Sequence, residues 1–170
     1  MLALLAQRPS HGWALAKEMS PNGEIGGIWS VGRPLVYRAL ETLESRQMIE
    51  TYGRERGERG PSRELFRATL EGREALLQWL TEPVEHVRDV RSLFLLKLAL
   101  ISRAQMDPEP LLQAQRAVVV PAVEALQTRL ATSAGSERVF VRFRLESTRA
   151  VIGFIDGLLS DTGGAQAAAM

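Results

Sequence analysis

Cysteine is absent from the 170 residues, and histidine occurs only as His11 and His86. A disulfide scaffold, a thiolate zinc site and a cysteine nucleophile are thereby excluded, and most histidine-dependent metal and acid–base chemistry lacks its raw material. Long hydrophobic runs are missing too. The longest candidate, Leu93 to Ile101, is interrupted by Lys97 and falls short of the roughly 18 residues of a membrane span. Aromatics make up 6% of the chain, and 21 Lys and Arg nearly cancel 20 Asp and Glu, so the charge bias of a disordered segment is not present. With 45% apolar residues, the length allows one folded domain, or two small ones sharing a core. The opening Met1-Leu2-Ala3-Leu4-Leu5 carries neither a basic leader nor a cleavage site, which points to the cytoplasm. No Gly-rich phosphate loop, carboxylate pair or nucleophile–base constellation stands out, so neither an enzyme nor a metal or cofactor site is expected.

What is present is helical periodicity punctuated by turn residues. A short apolar helix stops at Arg8-Pro9, because proline disfavours helix in the residue before it. Ser10 is a candidate N-cap for a second helix, His11 to Met19, whose Trp13, Leu15, Ala16 and Met19 recur at helical spacing. A loop through Ser20-Pro21-Asn22-Gly23 and Gly26-Gly27 follows. Along a third helix, 34–46, Leu35, Val36, Ala39, Leu40 and Leu43 line one face, with Pro34 tolerated in its first turn. Met48 to Arg54 and Glu64 to Ala68 read as two strands joined by a charged turn, Glu55 to Ser62. Thr69 then caps a fourth helix that ends at Glu82-Pro83.

The second half carries no strand pattern. Helical stretches run from Val84 to Arg103, from Glu109 to Leu130 with Pro121 expected to kink it, and along Phe140, Phe143, Ser147, Ala150, Phe154 and Leu158 at spacings of three and four. Gly163 to Met170 lacks an apolar face and reads as a frayed tail. The expected class is mainly α, with a winged helix-turn-helix in 1–82, an all-helical domain in 83–162 and a flexible tail in 163–170. Three helices followed by a basic hairpin is the order in which a third helix enters the DNA major groove while the hairpin lies along the backbone.

The landmarks are more specific than the topology. Leu4-Leu5-Ala6-Gln7-Arg8-Pro9-Ser10-His11-Gly12-Trp13, then Ile28-Trp29-Ser30, then Val36-Tyr37-Arg38-Ala39-Leu40-Glu41-Thr42-Leu43-Glu44 stand in the order seen in PadR transcriptional regulators. The segment closely resembles that family, and Gly60 to Thr69 with Gly72 looks like its wing and the entry to the next helix. The likeness covers about residues 2 to 82, while Phe94-Leu95-Leu96-Lys97-Leu98 looks like the family's first dimerisation segment. The resemblance implies a homodimeric repressor that binds double-stranded DNA, loosened in some members by a small aromatic or drug-like effector. Two departures matter. Gly32-Arg33-Pro34-Leu35 replaces the common Ser-Pro-Gly-Thr, so no operator sequence carries over, and Gln47 replaces a glycine, which requires a left-handed conformation of it. The first helix also starts late, so either the chain is truncated or its C-terminal helices do more of the dimerisation.

Candidate DNA contacts follow from position. Arg33 and Arg38 at the start of the third helix can fork onto guanine, Tyr37 either reaches a phosphate or is half buried beside Leu40, and Leu35 either touches a thymine methyl or faces inward. Arg54, Arg56, Arg59 and Arg63 decorate the wing, interleaved with Glu55 and Glu58. Ser10 and His11 open the second helix, where His11 either bonds a phosphate or caps the helix. Trp13, Trp29 and Trp79 read as core anchors. The expected dimer surface comprises Val87, Val90, Leu93, Phe94, Lys97, Leu98, Phe140, Phe143, Ala150, Phe154 and Leu158, and an effector pocket is expected at Phe94, Val120, Phe140 and Phe143. The alternative to a DNA reader is a winged-helix module that holds a partner protein.

Overall fold

A computed structural model describes residues 1–56 and 62–168, the last seven of these as backbone only. Arg59 and the tip of the wing, including Gly60 and Pro61, lie outside the described residues. The chain forms two compact units: Met1–Leu80 with Leu96–Gln105, and Thr81–Leu95 with the chain from Met106 onward.

In the first unit α1 (Leu2–Gln7) and α2 (Gly12–Glu18) are followed by α3 (Arg33–Ser45), the antiparallel pair β1 (Ile49–Glu55) and β2 (Arg63–Ala68), and α4 (Leu70–Thr81). Their core is Leu4, Leu5, Leu15, Val36, Leu40, Ile49 and Ala68, all buried, as the apolar periodicity predicts. The N-cap of α2 is His11 and not the expected Ser10: the Ala14 N–H donates to His11 Nδ1 at 3.0 Å. Ser10 is drawn instead into a bridge with Phe66, each N–H donating to the other's carbonyl at 3.0 Å, which ties the start of α2 to the wing. The wing ladder pairs Ile49 with Ala68 and Glu55 with Arg63, with an irregularity between Thr51 and Gly53. Thr69 caps α4 by accepting from the Gly72 N–H at 3.0 Å, while its hydroxyl donates to the Gln47 carbonyl at 2.8 Å. Gln47 adopts φ 58°, the left-handed turn expected where the family has glycine.

The stretch read as one helix from Val84 to Arg103 is interrupted. It comprises α5 (Val87–Asp89), a π-helical stretch (Val90–Phe94) and α6 (Leu95–Arg103). A π turn takes in an extra residue and rotates the face that follows, so a single period cannot be read across it. The α6 segment packs with the first unit although it follows Pro83. Lys97 is 2% exposed, its Nζ donating to the Trp79 carbonyl at 2.6 Å and lying 4.6 Å from the Trp79 ring centroid. Arg103 forms salt bridges to Glu18 and Glu24, and its Nε donates to Gln7 Oε1 at 2.9 Å.

The second unit is built on two long helices, α7 (Glu109–Thr132), with Pro121 inside it, and α8 (Gly135–Ala168). Gln115, 1% exposed, accepts from the Val84 N–H at 2.7 Å and donates to the Val84 carbonyl at 2.9 Å, satisfying both backbone groups of a buried residue. The α8 residues buried in this unit are Val141, Leu145, Thr148 and Ile155. The predicted stripe is a different one: Phe140 is 68%, Phe143 72% and Phe154 42% exposed. Helix α8 also passes Gly163, where a tail is expected, because the alanines that follow favour helix.

Candidate nucleic-acid interface

Helix α3 starts at the Gly32 N-cap, with Pro34 in its first turn fixing the backbone and giving up an N–H that has no helical partner. Val36 and Leu40 bury the inward face, which turns Arg33, Leu35, Tyr37, Arg38, Glu41, Thr42 and Glu44 outward. Leu35 is 58% exposed, which settles its alternatives against the inward one. The outward residues divide between two flanks.

On one flank Arg33 and Tyr37 join His11, Trp13 and Arg63 around a cleft of about 450 Å³ whose walls also include Glu41, Glu44 and Glu64. The Arg33 guanidinium lies 5.6 Å from the Tyr37 ring centroid, and that of Arg63 lies 5.2 Å from the Trp13 ring. Both arginines remain exposed, so each ring supports a cation without sealing it from a phosphate. Gly12 lets α2 come this close, since a Cβ there would sit 2.8 Å from Tyr37 Cε1. His11 Nε2 is 3.5 Å from Glu55 Oε2 on the wing. With Nδ1 already occupied as the cap, only the Nε2 side of His11 remains for a phosphate.

On the other flank Leu35, Arg38 and Thr42 line a separate apolar cavity of the same unit. The expected DNA set therefore does not form one patch: Arg33, Tyr37 and Arg63 gather, while Arg38 and Leu35 stand apart on the far side of the helix. On the wing Arg54 and Arg56 are exposed, and Arg54 stands opposite Glu64 in the ladder.

The tryptophans correct the expectation of core anchors. Trp13 is 46% and Trp29 40% exposed, and only Trp79 is largely covered. Helical spacing among small apolar neighbours was the signal, but Trp13 lies beside the outward Tyr37 flank, where a ring that can stack under Arg63 is stable in water. Tyr52 was missed altogether. It is 54% exposed on β1 beneath the Arg67 guanidinium, 4.9 Å from its ring centroid, and alternation along the strand is the signal that could have found it.

In the second unit Phe94 is fully buried and Val120 half-buried while Phe140 and Phe143 are exposed, so these four residues do not share an effector wall. Val90 is buried in the chain's own core as well, whereas Val87, Leu93 and Leu158 are half-buried and Ala150 is exposed; Leu98, also half-buried, belongs to the first unit. Among the described residues no cluster of His, Cys, Asp or Glu could hold a metal ion, and no helix is long and apolar enough to cross a membrane.

Three helices, a two-stranded wing and an outward third helix define a winged helix-turn-helix. Residues 1–78 match the signature of the Transcriptional regulator PadR-like family, the family that its landmark residues resemble. No curated protein sequence matches the chain. Among solved structures, Bacillus subtilis PadR in complex with operator DNA is similar over 94% of this chain and 93% of its own, at 19% identity and a TM-score of 0.46. A Streptococcus mutans protein is similar over 94% and 95%, at 11% identity and a TM-score of 0.43. A PadR-like transcriptional regulator from Bacillus cereus is similar over 94% and 91%, at 20% identity and a TM-score of 0.39.

Proposed function

We propose that this protein is a cytoplasmic homodimeric transcriptional repressor that reads a palindromic operator through α3 and the wing and responds to a small ligand. The observation that carries this reading is α3 itself. Within a PadR-like segment it exposes Arg33, Tyr37 and Arg38 at its N-terminal end, beside a wing that exposes Arg54, Arg56 and Arg63. Arginine forks suit guanine edges in the major groove, and the wing arginines suit phosphates. In this reading residues 1–82 bind DNA and 83–162 serve dimerisation, with the exposed Phe140, Phe143, Ala150 and Phe154 of α8 meeting a second copy.

The test is selection from a randomised duplex library at physiological salt. Enrichment of a two-fold symmetric site, with half-sites one helical turn or a multiple apart, is the expected outcome. Charge reversal of Arg54 and Arg56 should abolish retention and leave the fold intact. Retention without sequence preference, or none, would favour the module that holds a partner protein.

A further inference from the structure

The first unit contains a second concavity, a cavity of about 750 Å³ behind α3, which shares only Arg38 and Leu35 with the candidate DNA contacts. Its wall comes from α1, α3, α4 and α6, with Met19, Ile25 and Met48 from the segments between elements, and apart from Arg38, Thr42 and Trp79 it is aliphatic or methionine. Leu4, Met19, Ile25 and Leu100 on that wall are buried, at 3 to 6% exposure, whereas Leu35, Arg38 and Thr42 are exposed, so the cavity is apolar at depth and polar at its mouth. Arg38 is the only charged side chain in the wall, and no carboxylate pairs with it among the described residues. The volume falls within the range of small-molecule sites.

We infer that this cavity binds an amphiphile with an unbranched alkyl chain and one carboxylate, the chain running between α3 and α4 and the carboxylate on Arg38. Charge and lining select this class. A lone guanidinium at the mouth suits one anionic head. Deeper in, side-chain acceptors are lacking: besides Arg38 the polar side chains in the wall are Thr42, whose hydroxyl already donates to the Arg38 carbonyl at 2.8 Å, and Trp79, whose indole N–H can only donate. A hydroxylated aromatic acid would find no side-chain oxygen at depth to accept its hydroxyl proton, whereas methylenes have no such need. The inference rests on the regulator reading for its consequence. Arg38 is among the side chains proposed to reach DNA, so a carboxylate holding it would weaken operator binding, and DNA would weaken the ligand by the same factor.

The test titrates octanoate, decanoate, dodecanoate and dodecanol, all below their micelle concentrations, into the full chain without DNA, following Leu and Ala methyl resonances. Saturable shifts at Ala39, Leu43, Leu76 and Leu100 are expected, with affinity rising about threefold to fourfold per methylene. Arg38→Gln should cost dodecanoate roughly threefold to tenfold and leave dodecanol unchanged. Ala39→Phe and, independently, Ala75→Phe should fill the cavity and abolish the shifts with helical circular dichroism retained. No saturable shift, tighter binding of a hydroxylated aromatic acid, or an Arg38→Gln variant that does not discriminate acid from alcohol would each overturn the inference. So would methyl shifts that follow protein concentration alone, which would show a second copy covering the cavity. Because these titrations contain no DNA, failure to retain any duplex would remove the regulator reading and leave the ligand result standing. Where an operator is retained, dodecanoate should release it.

Discussion

Tyr37 on α3 and Phe154 on α8 are almost equally exposed, at 39% and 42%, yet the two surfaces around them differ in kind. Around α3 three exposed rings have a polar reason to face water, Arg33 lying over Tyr37, Arg63 over Trp13 and Arg67 over Tyr52, while Trp29, 40% exposed, has no cation over it among the described contacts. Along α8 the exposed rings are phenylalanines, Phe140, Phe143 and Phe154, with Val139 beside them and no cation over any of them among the described contacts. Exposure of the first kind is stable in solution and ready for an anion. Exposure of the second kind is costly in water and calls for another apolar surface. This difference fits the proposed reading, in which the first unit meets a polyanion and the second a second copy of the chain.

The largest effect should come from breaking the apolar side. Replacing Phe140 and Phe143 together by serine removes two rings whose burial is worth about 1.5–3 kcal/mol each. In a symmetric dimer both copies lose them, so sedimentation equilibrium should show the dissociation constant raised about a hundredfold or more. The single chain should keep its helix content, since neither ring contributes to its own core. An unchanged dimer would mean that α8 does not carry the interface.

A change inside the second unit separates stability from surface chemistry. Gln115→Leu leaves the N–H and carbonyl of buried Val84 without the partners they now have at 2.7 and 2.9 Å. Urea unfolding should register a loss of about 2–4 kcal/mol. Retained stability would show that water or another group replaces the amide.

The polar side is broken by Arg33→Ala. It removes the cation over Tyr37 and one candidate base contact, and titration against the selected operator should show a loss of about 1–3 kcal/mol. Affinity for random duplex should fall less. An equal loss on both would move Arg33 from base reading to phosphate positioning.

The two units also differ in how far their sequences disclose them. In the first, turn residues fall at nearly every boundary: Arg8-Pro9, Gly32 before α3, and Thr69 before α4. The element order was therefore legible, and so was the outward set on α3. What escaped was set by tertiary contacts: the Ser10–Phe66 bridge that hands the cap to His11, the exposure of Trp13, and the split of Arg33 and Arg38 onto opposite flanks. In the second unit few breakers mark the chain, and α8 carries two apolar stripes side by side. Periodicity found the one through Phe140 and Phe154, while Val141, Leu145 and Ile155 do the packing within the unit. Amplitude of an apolar stripe says that a face will be covered, without saying by which surface.

The turn between α3 and β1 offers the smallest and sharpest comparison with the family pattern. Gln47 holds φ 58° with an exposed side chain, and its carbonyl accepts from the Thr69 hydroxyl at 2.8 Å. A side chain in this left-handed region costs roughly 1 kcal/mol, which glycine avoids, although glycine loses more backbone entropy on folding. Since the bond to Thr69 uses the backbone, Gln47→Gly keeps it. The net expectation is a gain of about 0.5–1 kcal/mol in urea unfolding, with operator affinity unchanged because no residue on the exposed face of α3 is altered. A loss of stability would mean that the Gln47 side chain makes a contribution that outweighs its strained backbone, and that the departure from glycine is a compensated one.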